Sequence, residues 1–250
     1  MLTRYILTIL SILAATNIAF AGGHSSKVSY QVGSLNFEAV VVEPSSKPLA
    51  TVYIIHDWNG LDEYEKSRAA MLAELGYRAV ALDLFGVDAK LEGFDDYRRE
   101  TGALYGNREE FRARIAAGVS AGGGQTEHNF LAGYCFGGAA VLESARAGMD
   151  LDGFISFHGG LGTPDGQDYA QTSGALLILH GSADPVSGMG DLAGLIDQLT
   201  EAGVDHNVRV YGGARHSFTV PGSRDYLEDA DKKSWRAMME FLEEELAKNG

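Results

Sequence analysis

The chain has a single cysteine, Cys135, in 250 residues, so no internal disulfide can brace it and stability must come from ordinary core packing. Basic residues are scarce. Twenty Lys and Arg stand against 34 Asp and Glu, and the formal charge of -14 argues against nucleic acid or an anionic membrane surface as a partner. Only five prolines are present, and no internal repeat, low-complexity tract or linker divides the chain. Past the first twenty or so residues no apolar run is long enough to cross a membrane.

The exception is the beginning. Arg4 is followed by the apolar stretch Tyr5 to Phe20 and by the small-residue site Ala19-Phe20-Ala21, the pattern of a secretory signal peptide. Ser11, Thr16 and Asn17 interrupt the run, which argues against a membrane anchor. Residues 1–21 are therefore expected to be removed, leaving 22–250 as one secreted or periplasmic domain with no stable membrane span, acting as a monomer. An unpaired thiol in an oxidising compartment is exposed to oxidation, so a retained one is either buried and inert or sheltered and functional.

Periodicity then predicts the architecture. Lys27 to Val32 and Leu35 to Val42 flank Gly33-Ser34 as a hairpin. Strand, helix and strand follow over Leu49 to Ile55, Glu63 to Leu75 and Arg78 to Leu82, with Asp62 and Glu65 as a capping box and Gly76 as the stop. The stretch from Phe85 to Gly124 is less periodic, with one helix capped by Asn107 and carrying Phe111 and Ile115 on one side. His128 to Tyr134 reads as a strand and Phe136 to Ala147 as a helix, while Gly153 to Phe157 and Ala175 to Leu179 are buried strands. Leu192, Leu195, Ile196 and Leu199 mark a helix ended by Gly203, Val208 to Tyr211 is the last strand, and Trp235, Met238, Met239 and Leu242 mark the core face of the last helix. The alternation implies an α/β fold: a mostly parallel twisted sheet with an N-terminal antiparallel hairpin and helices on both faces.

In such a sheet chemistry gathers where strands end. Gly133-Tyr134-Cys135-Phe136-Gly137-Gly138 puts the lone thiol on a sharp strand-to-helix turn, the position of a nucleophile. A serine version of the pattern, Gly118-Val119-Ser120-Ala121-Gly122, follows a helical stretch and runs into glycines, so it lacks that context. Asp184, in an Asp-Pro turn after a buried strand, and His216, on the loop after the last strand, complete the order nucleophile, acid, histidine found in α/β-hydrolases. Cysteine needs a base to become thiolate, and the base needs a carboxylate to orient it. Asp83 also ends a strand but reads as a loop-ordering residue. His56, His158 and His180 adjoin apolar strands and read as packed supports; as a zinc site they lack close ligand spacing. Trp58, Tyr64, Phe85, Tyr105 and Phe136 are candidates for an aromatic pocket.

These motifs, over nearly all of the chain beyond residue 21, resemble the dienelactone hydrolase family of α/β-hydrolases. The resemblance implies hydrolysis of small esters or lactones by Cys135, His216 and Asp184 through a thioester, with neither cofactor nor metal. It also implies an oxyanion hole made by the backbone N–H groups of Trp58 and Phe136, and a thiol-modulating carboxylate at Asp57. Two positions depart from the family's archetype: Asp57 stands where it has glutamate, and Val220 where it has a substrate-binding arginine. Arg98, Arg99, Arg108, Arg112 and Arg224 are candidates to replace that contact. The competing readings are a non-catalytic hydrolase-like domain that binds a small molecule or a protein, and a redox thiol, which would lack a resolving cysteine.

Overall fold

The computed structural model describes residues 18–20, 23–123 and 126–249. Most of the expected leader, residues 1–17 and 21, lies outside them. The chain opens with strands β1 (Ile18–Phe20), β2 (Gly23–Val32) and β3 (Leu35–Glu43), which pair antiparallel in turn. Gly33 takes φ +58° in the two-residue turn between β2 and β3, where Val32 faces Leu35, so the glycine occupies a conformation that other residues rarely adopt.

Then follow β4 (Thr51–Ile55), helix α1 (Glu63–Glu74), β5 (Arg78–Leu82), α2 (Phe94–Gly106) and α3 (Arg108–Gly122). The second half comprises β6 (Asn129–Tyr134), α4 (Phe136–Arg146), β7 (Gly153–Phe157), β8 (Ala175–Gly181), α5 (Met189–Glu201), β9 (His206–Tyr211) and α6 (Glu228–Asn249). The sheet runs in the order β1-β2-β3-β5-β4-β6-β7-β8-β9, and β5 through β9 are parallel neighbours. Among the described residues no helix is long and apolar enough to cross a membrane.

Both faces of the sheet are covered, which explains why the central strands are continuously apolar rather than alternating. Along β4, Tyr53 and Ile55 join a core with Phe111 and Ile115 of α3, Val141 of α4 and Leu195 of α5. Val52 and Ile54 face the other way, toward Ala69 and Leu72 of α1 and Met238 and Phe241 of α6. Two differences from the sequence reading have physical causes. Helix α2 lies outside the sequence reading: it buries only Leu104 and Gly93 at its start offers no side-chain cap, although Phe94, Tyr97, Thr101, Leu104 and Tyr105 recur at helical spacing. Strand β8 continues two residues past Leu179, because Gly181 still pairs with Tyr211 of β9.

The chain steps from β4 outward to β5 and then returns to β6 on the opposite side of β4. This reversal opens a crevice at the carboxyl ends of β4 and β6, the place where ligands bind in open parallel sheets. Asp57 follows β4 and Cys135 follows β6 directly.

Candidate active site

The cysteine turn is shaped by contact between backbones. A Cβ on Gly137 would collide with the carbonyl of Ile55 and lie 2.7 Å from that of His56, and one on Gly133 would collide with the Gly137 carbonyl. Glycine at both positions lets α4 start against the ends of β4 and β6. Cys135 itself takes φ 53°, ψ -110°, a conformation that costs a non-glycine residue about 1–3 kcal/mol and persists only where surrounding structure enforces it. Helix α4 supplies that enforcement. All of its residues are buried, and its fully buried Glu143 is held by Arg112 at 2.6 Å, Arg146 at 3.0 Å and Arg108 at 3.1 Å.

The structure brings Cys135, His216 and Asp184 together although they lie far apart in sequence. His216 Nε2 is 3.0 Å from Cys135 Sγ, and His216 Nδ1 is 2.8 Å from Asp184 Oδ2. With Nδ1–H donating to the carboxylate, Nε2 is free to accept from the thiol. Asp184 Oδ1 accepts from the backbone N–H groups of Val186 at 2.8 Å and Ser187 at 3.2 Å, which orders the loop after β8. Burial works against the Asp184 charge, but the His216 ring and these amides hold its carboxyl below the usual range.

The thiol is less readily ionised. Burial pushes it well above its ordinary value, the Asp57 carboxylate adds to that, and the N–H groups of Phe136 and Trp58 act in the opposite sense by favouring the thiolate. Those are the two amides that the family resemblance implicates, and both approach the sulfur. Asp57 is buried, with Oδ1 lacking a hydrogen-bond partner. Burial raises its carboxyl to about 6, against the amides of Trp58 and Asn59.

Supporting side chains fix these amides. Glu65 closes the expected capping box by accepting from Asp62 N at 3.2 Å, and its other oxygen accepts from Asp57 N at 3.1 Å. One buried carboxylate thereby anchors both ends of the 57–62 loop that carries Trp58, and burial raises it to about 8. His56 Nδ1–H donates to Asp57 O at 2.6 Å while its Nε2 accepts from Leu84 N at 3.0 Å.

His158 joins the Cys135 turn to the loop that carries His216. Its Nδ1 accepts from Cys135 N at 3.2 Å, its Nε2–H donates to Thr219 Oγ1 at 2.8 Å, and that hydroxyl meets Tyr64 OH at 2.7 Å. Burial, then the neighbouring His216, drive the His158 pKa well below the ordinary value, so the ring is neutral and can accept at Nδ1. Arg68, paired with Asp231 at 2.5 Å, donates to Thr219 O at 2.8 Å and pins the same loop.

A cavity of about 460 Å³ opens above the thiol. Trp58, Tyr105 and Phe136 line it, as anticipated, but Tyr64 and Phe85 do not. Tyr64 is turned toward Thr219, and Phe85 is buried edge-on against the His56 ring. Phe94, Pro185, Val186, Arg224 and Asp225 are also among the lining residues, and of these only Arg224 is a candidate from the sequence. Phe94 lies on the unanticipated α2, and Val186 follows the acid in sequence, the only signal that could have drawn attention to it. Val220 is not part of the lining. Ser120 lies in the last turns of α3, away from this cavity.

Comparison with known proteins identifies the family and the fold. The model of the dienelactone hydrolase family matches residues 37–246. A dienelactone hydrolase-like promiscuous phosphotriesterase from metagenomic libraries superposes with a TM-score of 0.83 at 31% identity, covering 90% of this chain and 99% of its own. A Klebsiella pneumoniae structure provisionally named as a dienelactone hydrolase, at 20% identity and a TM-score of 0.70 over 86% of this chain and 96% of its own, shows the shared fold. A Saccharolobus solfataricus protein provisionally named as a carboxymethylenebutenolidase is 23% identical over 86% of this chain and 97% of its own. With its α/β-hydrolase sheet and a family match spanning most of its length, the chain belongs to the dienelactone hydrolase family and is a hydrolase of esters or lactones.

Proposed function

We propose that the chain hydrolyses small carboxylic esters or lactones through a covalent thioester on Cys135. The observation that carries the reading is the continuous path from Cys135 Sγ to His216 at 3.0 Å and from His216 to Asp184 at 2.8 Å. His216 takes the thiol proton as sulfur attacks the carbonyl carbon, and Asp184 stabilises the imidazolium that forms. The carbonyl oxygen becomes an oxyanion that accepts from the N–H groups of Trp58 and Phe136, the latter at a helix N-terminus. The intermediate collapses, the C–O bond breaks, and the leaving alkoxide takes the proton from His216. Water then gives a proton to His216 and attacks the thioester, and the carboxylic acid departs as the thiol regains its proton.

The raised thiol pKa fits this order of events: the resting sulfur stays protonated and ionises only as it attacks. A protonated thiol is also the less oxidisable form, which suits export. The apolar leader over 1–21 supports that export, with residues 22–250 acting in the periplasm or outside the cell.

The test is a panel of aryl esters, alkyl esters and lactones run on the wild type, Cys135→Ala and His216→Ala. A neutral phosphotriester belongs in it, given the activity for which the metagenomic relative is named. Both substitutions are expected to remove turnover of the esters and lactones, and activity surviving both would sink the thioester route.

A further inference from the structure

We propose that this site selects uncharged substrates, and that Asp225 strengthens the choice by competing for Arg224, the one lysine or arginine among the described residues of the cavity wall. The inference rests on the hydrolase reading above and names the substrate class for the same cavity.

The walls are chiefly apolar: Trp58, Phe94, Tyr105, Phe136, Pro185 and Val186. Phe94 and Val186, 63% and 66% exposed, add open apolar surface to this lining. Trp58 packs edge-to-face on Phe94 at 4.6 Å, which extends the aromatic surface from beside the thiol out to the mouth. Such a surface gains free energy by covering apolar groups and offers nothing to a carboxylate stripped of water.

Among the described residues lining the cavity, Arg224 is the only lysine or arginine. Its Nε lies 3.6 Å from Asp225 Oδ1, and Arg215 Nε reaches the same oxygen at 3.0 Å. Asp225 is itself tethered by a hydrogen bond from its amide to Ser223 Oγ at 3.0 Å. Arg224 is 84% exposed, so water already screens its charge. A substrate carboxylate would have to compete with Asp225 for a cation that water has already weakened. It would also approach Asp57 and Asp184, in a chain of net charge -14. Each of these opposes a negative substrate.

The experiment compares 4-acetoxybenzamide with 4-acetoxybenzoate, which are nearly isosteric and differ in charge. Each kcat/KM is divided by the rate constant for hydroxide-catalysed hydrolysis of the same ester, which corrects for the leaving group. The expected result is a preference of at least about tenfold for the amide, since burying an unpaired carboxylate is strongly unfavourable. In Asp225→Asn, Arg224 is released and the preference should shrink about threefold or more. A ratio at or below one in the wild type overturns the proposal, and a ratio unmoved in Asp225→Asn overturns the role of Asp225. Should neither acetate ester nor any member of the wider panel be turned over in a Cys135-dependent way, the hydrolase reading beneath the proposal falls with it.

Discussion

Near the amino ends of β6 and β8 lies a hollow of about 650 Å³, lined by Glu127, Asp150, Asp152, Asp205 and Glu245 among others. At the carboxyl ends lies the smaller cavity, about 460 Å³, that holds Cys135 and His216. The larger hollow has more room and more titratable groups, yet several are already committed. Asp152 accepts from Asn129 N at 2.7 Å and meets His128 at 3.1 Å, while Lys248 bridges Asp205 at 3.1 Å and Glu245 at 2.7 Å. The backbone accounts for much of the contrast. Helices that follow parallel strands begin at the carboxyl edge, so α4 aims its first N–H groups toward the thiol. At the other edge α5 ends, close to Gly203 and Val204 of the hollow, and presents carbonyls. A developing negative charge finds stabilising donors at one edge and acceptors at the other.

The contrast can be broken most sharply with the proposed triad. Asp184→Asn should leave the fold intact but lower kcat/KM on an aryl ester about 100- to 10,000-fold, because the amide no longer stabilises the His216 imidazolium; steady-state rates check it. Gly137→Ala attacks the same edge through sterics. With the Ile55 and His56 carbonyls in the way, it should cost about 3 kcal/mol or more, or prevent folding. Gly194→Ala, exposed on α5 with open space around it, should instead stabilise by up to about 1 kcal/mol, and urea denaturation compares the pair.

Asp57→Asn sharpens the electrostatic side. Because folding raises the Asp57 carboxyl to about 6, its protonated form is favoured in the folded protein. Its stabilising contribution is complete below the unfolded carboxyl range and is lost as pH rises through 6. The substitution should therefore help most at pH 8, on the order of 1–2 kcal/mol, and little near pH 4. Denaturant midpoints at the two pH values decide it. Iodoacetamide alkylation of Cys135 should shift to lower pH in the same variant, since a charge opposing the thiolate is gone. The smallest effect belongs to the opposite edge: Asp152→Asn should change stability by less than about 1 kcal/mol and leave kcat as it is.

Much of this was legible in sequence because the central strands are buried on both faces and announce themselves as apolar runs. The Asp62–Glu65 capping box and the Gly33 turn are likewise local signals with local causes. Where structure went beyond sequence, the contacts join residues far apart in the chain. Glu65 could be read as a helix cap, but nothing near it shows that it also holds Asp57 N. His158 could be read as a packed histidine, yet its link from Cys135 N to Thr219 exists only once β7 and the His216 loop are brought together. Arg224 is one of several candidate arginines, and its pairing with Asp225, which Arg215 shares, depends on how one loop folds on itself.

A chain with one sulfhydryl has a built-in counter. Every molecule carries one cysteine, and that cysteine opens on the proposed reaction cavity. The chromophore released by a thiol reagent under native conditions therefore tallies intact sites, and the excess released after unfolding tallies molecules whose site was closed. Rates can then be expressed per accessible sulfur instead of per milligram, so that a poor preparation and a poor catalyst become distinguishable at the bench.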